Sequence, residues 1–154
     1  MRKLMIIALV AAMTLGATGA MAAVIYEAEL TPEMVRPSSG ASAYGQATLI
    51  VNDAGTEYHL TLNFAGLDTD QTGADLLSAG MDDPGSSLLA LPIGTPLALT
   101  QALTADIADA LQSDRLAVQI YSEAWPGGAI RGNFQFVTVG VDVTTWTAVK
   151  TLFN

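Results

Sequence analysis

Apolar and polar side chains alternate along several stretches of this chain with the period of two that marks a half-buried β-strand. From Val24 to Leu30, Val24, Tyr26, Ala28 and Leu30 share one face while Glu27 and Glu29 take the other. Residues 31–42 hold two prolines, three serines and a glycine, so they predict a connecting loop. A second strand then carries Ala47, Leu49 and Val51 inward. Asn52-Asp53-Ala54-Gly55 predicts a turn, and the return strand sets Tyr58, Leu60, Leu62 and Phe64 against Glu57, His59, Thr61 and Asn63. The pattern weakens over residues 66–87, where five aspartates punctuate what predicts a loop-rich region with a short apolar piece at Leu76-Leu77. Asp83-Pro84-Gly85 suits a tight turn, because proline presets the second position and glycine accepts positive φ at the third. Residues 88–91 predict a short strand and residues 92–96 a break, after which Leu97, Leu99, Gln101 and Leu103 resume period two. Residues 104–113 are the one helical window, with Thr104 as cap, Asp106 near the positive dipole end, and Ile107 and Leu111 four apart.

Residues 116–136, LAVQIYSEAWPGGAIRGNFQF, organise the rest. They predict a β-hairpin with a wide, glycine-rich tip. Leu116, Val118 and Ile120 point one way, Ala117, Gln119 and Tyr121 the other, and Ile130, Phe134 and Phe136 share a face on the return. Parity flips at Phe136-Val137, since Val137, Val139, Val141 and Val143 form the next apolar set; an uninterrupted strand would leave four valines in water. A bulge or a crossing to another sheet is expected there. Beyond it, Trp146, Val149 and Leu152 lie three apart, which fits a terminal helical turn packed on the domain or one more strand. Many short strands with frequent turn signals and one short helix predict an all-β fold, an antiparallel Greek-key β-sandwich of immunoglobulin-like or superoxide-dismutase-like kind.

The N-terminus changes the picture of where the chain works. Arg2 and Lys3 precede an apolar run from Leu4 to Leu15, and Ala20-Met21-Ala22 offers a small-x-small cleavage site, so residues 1–22 read as a signal peptide. The apolar run is shorter than the roughly 20 residues a spanning helix needs. A periplasmic or secreted protein with no membrane insertion after cleavage is therefore expected. The 132 residues left make one domain, large enough to bury a core without staples. With no cysteine in the chain, a disulfide scaffold and a thiolate site are both excluded. The full chain carries −9; loss of Arg2 and Lys3 leaves 4 basic against 15 acidic side chains, a net of −11. Such a balance opposes binding to nucleic acid or anionic lipid and makes cations the natural small partners.

From about Val24 to Phe136 the chain resembles the CHRD family, the domain named after chordin and common in bacterial exported proteins. The resemblance is carried by YEAEL, EMVRP, GQATLIVND, HLTLNFAGL and LTADIADALQSDRL, and above all by YSEAWPGGAIRGNF, with its Pro-Gly-Gly turn and Arg-Gly pair. It implies a β-sandwich over residues 23–136, with residues 137–154 as an extension packed on the same domain. Family members usually carry a His-x-His after the second hairpin and a further histidine late in the penultimate strand. Here those positions are Asp75, Leu77 and Tyr121, so no role of those histidines transfers.

Three residues of the hairpin, Tyr121, Trp125 and Arg131, are candidates for binding. Arg131 is either a fork for an anion or carboxylate, or a tie from the hairpin to an acidic loop or onto Trp125 or Tyr121, with Gly132 leaving room for its approach. Trp125 at the tip is either a partner-binding aromatic or a cover for the end of the sandwich. Residues 68–73 reproduce the first half of a calcium loop, but Ala79 stands where the bidentate acid belongs. An EF-hand is excluded, and an irregular Ca²⁺ site would draw on Asp68, Asp70, Asp75 or Asp82. His59, the lone histidine, lies on a polar face, which speaks against zinc, copper or a Ser-His-Asp arrangement. The expected function is a non-catalytic binding or structural module that meets an unidentified protein or matrix partner and needs no cofactor. The alternatives are a metal-dependent enzyme on a superoxide-dismutase-like sandwich and a Ca²⁺-stabilised adhesion module.

Overall fold

The computed structural model describes residues 23–137. Residues 1–22, expected to be a signal peptide, and the segment 138–154, with Val139, Val141, Val143 and Trp146, lie outside the described residues. The strands are β1 (Val24–Leu30), β2 (Tyr44–Val51), β3 (Glu57–Ala65), β4 (Gln71–Ser78), β5 (Ser86–Ala90), β6 (Leu97–Ala102), β7 (Leu116–Ser122), β8 (Ile130–Asn133) and β9 (Gln135–Phe136), with the helix α1 (Ala105–Gln112) between β6 and β7. A five-stranded sheet runs β6-β3-β2-β1-β9 and a four-stranded sheet β5-β4-β7-β8. Every pairing is antiparallel. The chain changes sheet between β3 and β4, β5 and β6, β6 and β7, and β8 and β9. Strand β6 comes back beside β3 after the β4–β5 hairpin, and β7 comes back beside β4. The fold is thus an antiparallel sandwich of the Greek-key kind, as the alternation predicts.

Period two decides which side of each strand is inside. Ala28 and Leu30 on β1, Ala47, Leu49 and Val51 on β2, and Tyr58, Leu60 and Leu62 on β3 are all buried. They face Ala74 and Leu76 of β4, Leu116, Val118 and Ile120 of β7, and Ile130 of β8. Each large side chain withdrawn from water in this way contributes about 1.5–3 kcal/mol. The helix closes the core between β6 and β7: the Thr104 hydroxyl accepts from the Ile107 N–H at 3.4 Å, and Ile107, Ala110 and Leu111 point inward.

Residues 66–87 differ from the loop-rich expectation, because β4 forms there and is a central strand, paired with both β5 and β7. Its aspartate and its glycine, poor strand formers in isolation, both lie on the outer face, while Ala74 and Leu76 face the core. Tertiary pairing overrides local propensity here. Leu77, on the outer face, is buried as well, against Ala79 and Ala117.

The chain crosses to the other sheet shortly before the Phe136-Val137 step at which a bulge or crossing is expected, while the valines beyond Val137 lie outside the described residues. After Asn133 the chain leaves the four-stranded sheet, Phe134 drops into the core at 1% exposure, and β9 pairs with β1 in the other sheet. Phe136 stands opposite Tyr26 in register, on the Tyr26 side of the edge strand β9, but is not buried as Ile130 and Phe134 are. It is 56% exposed, with its ring edge-on to Tyr26 at a centroid distance of 5.9 Å. Close to this crossing the sandwich is nearly shut: Thr31 N–H donates to the Arg131 carbonyl at 2.9 Å, and Arg131 N–H donates back to Thr31 at 3.1 Å. The approach depends on Gly132, where an added Cβ would lie 2.4 Å from the Glu29 carbonyl oxygen. The obstacle is backbone, so a side chain there has no room to yield. Gly132→Ala is expected to lower stability by about 1–3 kcal/mol, read as a lower urea midpoint. An unchanged midpoint would mean that β1 and β8 do not close on one another.

Candidate functional site

The sequence-predicted residues converge on the outer face of the four-stranded sheet. In register there, Gly73 pairs with Tyr121, Asp75 with Gln119 and Leu77 with Ala117, while Gln119 pairs onward with Arg131 and Ala117 with Asn133. Asp75, Leu77 and Tyr121 therefore share one face of adjacent strands. In this chain they carry a carboxylate, an aliphatic side chain and a phenol.

Two segments cover that face. The loop before β2 lays Val35, Ser39 and Ala41 down as buried residues. The Ser39 hydroxyl donates to the Ala129 carbonyl at 2.6 Å and accepts from Ala41 N–H at 3.1 Å. The other cover is residues 79–85, gripped by Arg131. Although charged, Arg131 is 0% exposed. Its Nη1 donates to the Asp83 carbonyl at 2.7 Å and its Nη2 to the Gly80 carbonyl at 2.6 Å. Asn133 adds a third strut, donating through Nδ2 to the Ala79 carbonyl at 2.8 Å. Burial pushes the Arg131 pKa down, and the nearby Arg36 guanidinium pushes it the same way; the Asp83 carboxylate opposes both. The Asp83 carboxylate is itself bound elsewhere, accepting from Gly85 N–H at 2.9 Å and from Arg115 at 3.0 Å, and those contacts, led by the backbone one, hold its pKa below the usual range. Arg131 thus ties the hairpin to an acidic loop through main-chain carbonyls rather than through the carboxylates.

The hairpin tip folds back onto the same face. Gln119 Nε2 donates to the Gly127 carbonyl at 3.0 Å. Gly128 sits at φ +122 with its missing Cβ position 2.5 Å from that Nε2, so both the left-handed backbone and the close approach require glycine. Trp125 is half-buried; its ring tip faces Gly40, and its indole Nε1, shielded from solvent, has no hydrogen-bond partner among the described residues. Tyr121, also half-buried, has its pKa pushed up to about 12, first by burial and then by the charge and hydrogen bond of Asp75.

The aspartates considered for calcium do not meet. Asp68 and Asp70 precede β4, where the Asp70 carbonyl accepts from Glu123 N–H at 3.1 Å. Asp75 is mid-strand beneath the loops. Asp82 is an exposed partner of Arg36 at 3.4 Å. No group of three or more His, Cys, Asp or Glu side chains that would hold a metal gathers among the described residues. His59 is exposed on β3, with Nδ1 3.0 Å from the Thr100 hydroxyl.

A second feature escaped the sequence reading. The outer face of the five-stranded sheet carries an open depression of about 420 Å³ bounded by Glu29, Tyr44, Gln46, Asn63 and Thr95. The signal was Tyr44, an aromatic at the same parity as Gln46 and so on the polar side of its strand.

The Tyr121 phenol gives a spectroscopic handle on the covered face. With its folded pKa near 12 and an unfolded value of about 10, its contribution to stability is intact below pH ~10 and disappears as pH rises through 10 to 12. In an absorbance titration Asp75→Asn is expected to bring the Tyr121 step down toward the ordinary range, and Tyr121→Phe to delete it. A Tyr121 step that Asp75→Asn does not move would separate the two groups.

Comparison with known proteins bears on the whole of this region. Neither curated proteins nor solved structures yield a match. The family model described as the CHRD domain matches residues 26–134, from the third residue of β1 through the core residue Phe134. That span is well over half of the sequence and takes in both sheets, the covered face and the Pro-Gly-Gly tip, and on that ground the chain belongs to the CHRD domain family.

Proposed function

We propose that this CHRD domain is an exported, non-catalytic binding module of the periplasm or extracellular space, meeting a protein or matrix partner and requiring no metal. The observation that carries the reading is how the polar side chains of the covered face are spent. Arg131, Gln119 and Asn133 all donate to main-chain carbonyls of the loops above them, and burial, followed by the charge and hydrogen bond of Asp75, pushes the Tyr121 pKa further up, to about 12. Groups committed to holding backbone in place are not free to bind and turn over a substrate. The export half of the reading rests on the basic start, apolar run and small-residue site of residues 1–22. A net charge of −11 after cleavage points away from nucleic acid and anionic lipid. Among the hairpin residues, Trp125 is the one near the surface of the tip and is the natural contact for a protein partner, whereas Arg131 serves such contact only by holding the loops.

Expression of the full chain in a bacterial host tests both halves. The expected product begins at Ala23, is recovered from the periplasm or medium, and carries zinc and copper well below one equivalent by elemental analysis. An intact Met1 terminus in the cytoplasm contradicts export. Stoichiometric zinc or copper contradicts the non-catalytic reading in favour of a metal-dependent enzyme.

A further inference from the structure

Strand register builds a row of hydrogen-bonding side chains across the exposed face of the five-stranded sheet. Glu29 on β1 pairs with Gln46 on β2, which pairs with Asn63 on β3. All three point outward and are exposed. Neighbouring strands lie about 4.8 Å apart, so the row spans about 10 Å. Tyr44 stands beside it, 67% exposed. A ring of that size left in water contributes nothing to the core, and the core does not need it. The half-buried Phe64 and the loop bearing Thr95 close the far side, with the Thr95 hydroxyl hydrogen-bonded to the main chain of Phe64 at 3.1 Å and 3.3 Å. A second depression, of about 290 Å³, continues along the same face through Glu27 and Thr48, sharing Glu29 and Gln46 with the first. Together they form one elongated trough. The two ion pairs among the described residues, Arg36 with Asp82 and Arg115 with Asp83, leave Glu29 uncommitted.

The chemistry of this trough is specific. Two side-chain amides offer donors and acceptors together, a carboxylate offers acceptors alone, and Tyr44 offers an apolar ring face with a polar tip. A ligand that suits it has many hydroxyls able both to donate and to accept, C–H-bearing faces to lie against an aromatic ring, and enough length to run along several strands. Glu27 and Glu29, in a strongly acidic domain, repel anions. We infer that the exposed face of the five-stranded sheet, centred on Tyr44 and the Glu29–Gln46–Asn63 row, binds a neutral oligosaccharide. This deepens the binding-module reading, on which it rests, by giving the matrix partner a chemical class. It places this contact on the sheet opposite the covered face, away from Trp125.

The test is isothermal titration calorimetry of the chain as purified from the exporting host, with cellohexaose, maltohexaose and N-acetylchitohexaose as probes and polygalacturonate as the anionic comparison. At least one neutral hexasaccharide is expected to bind, with polygalacturonate weaker. Tyr44→Ala and Gln46→Ala are each expected to weaken binding by about three- to tenfold with the melting midpoint unchanged, since both side chains are exposed. Absence of binding by all three neutral probes overturns the inference, as does affinity that survives both substitutions. Chromatography of the recovered sugar keeps the two readings apart. Shortened sugar would overturn the non-catalytic reading and leave the trough standing, while loss of binding would remove the trough and leave export and the absence of a metal untouched.

Discussion

The charge of Arg131 lies wholly inside the protein, and the covering of the four-stranded sheet follows from how that charge is satisfied. A guanidinium is a rigid fork of donors that stays protonated at any ordinary pH, so burying it demands acceptors at fixed positions. Here they are the carbonyls of Gly80 and Asp83, both in one loop. Holding them fixes residues 79–85 over Leu77, Ala79 and Ala117, a small apolar cluster that would otherwise face water. The same residue's backbone bridges to Thr31, so one position on β8 both shuts the edge of the sandwich and pins its outer cover. Gly132 beside it is the counterpart: bulk is placed on the outer side of β8 and withheld from the inner side, where β1 passes.

The rest of the covered face is arranged around this fork. The tip folds back because Gln119 reaches Gly127 and Gly128 leaves the space for it, and the loop before β2 is stitched to the tip by Ser39. Asp75 and Tyr121 are left sharing a half-buried pocket of sheet face in which the phenol stays neutral. In this member of the CHRD family the covered face is thus a scaffold. Among the described residues, Glu29, Tyr44, Gln46 and Asn63 remain exposed on the outer face of the opposite sheet.

The sandwich was readable in the sequence because period two runs through most of β1, β2 and β3, and because Thr104, Ile107 and Leu111 mark α1 by cap and spacing. Strand β4 was not readable. Its outer face is buried at Leu77 by a loop held from another strand, so its pattern is apolar on both sides at one end and punctuated by Gly73 and Asp75 at the other. Only the completed sheet explains it. Parity counting put Ile130, Phe134 and Phe136 on one face, but it could not show that the chain steps across at Phe134 and leaves Phe136 exposed on an edge strand. At the site, the hairpin was recognised as the distinctive segment and the two uses of Arg131 were both foreseen, but which one holds depends on where residues 79–85 lie, a contact 46 to 52 residues away in sequence that no local pattern reports. The Glu29–Gln46–Asn63 row was present as three separate polar-face positions, and only strand register sets them side by side.

The hold of the Arg131 fork on residues 79–85 is tested most directly by native-state amide hydrogen exchange. In the wild type the Ala79 amide, which donates to the Arg115 carbonyl at 2.7 Å, and the Asp83 amide, which donates to Gly80 at 3.3 Å, are expected to exchange slowly, close to the rate set by global unfolding. Replacement of the guanidinium in Arg131→Met, which keeps the bulk and removes the donors, is expected to speed exchange at Ala79 and Asp83 by about a hundredfold while Leu49 and Leu60 in the opposite sheet remain slow. Fast exchange at Ala79 already in the wild type, or protection there unchanged by Arg131→Met, would contradict it.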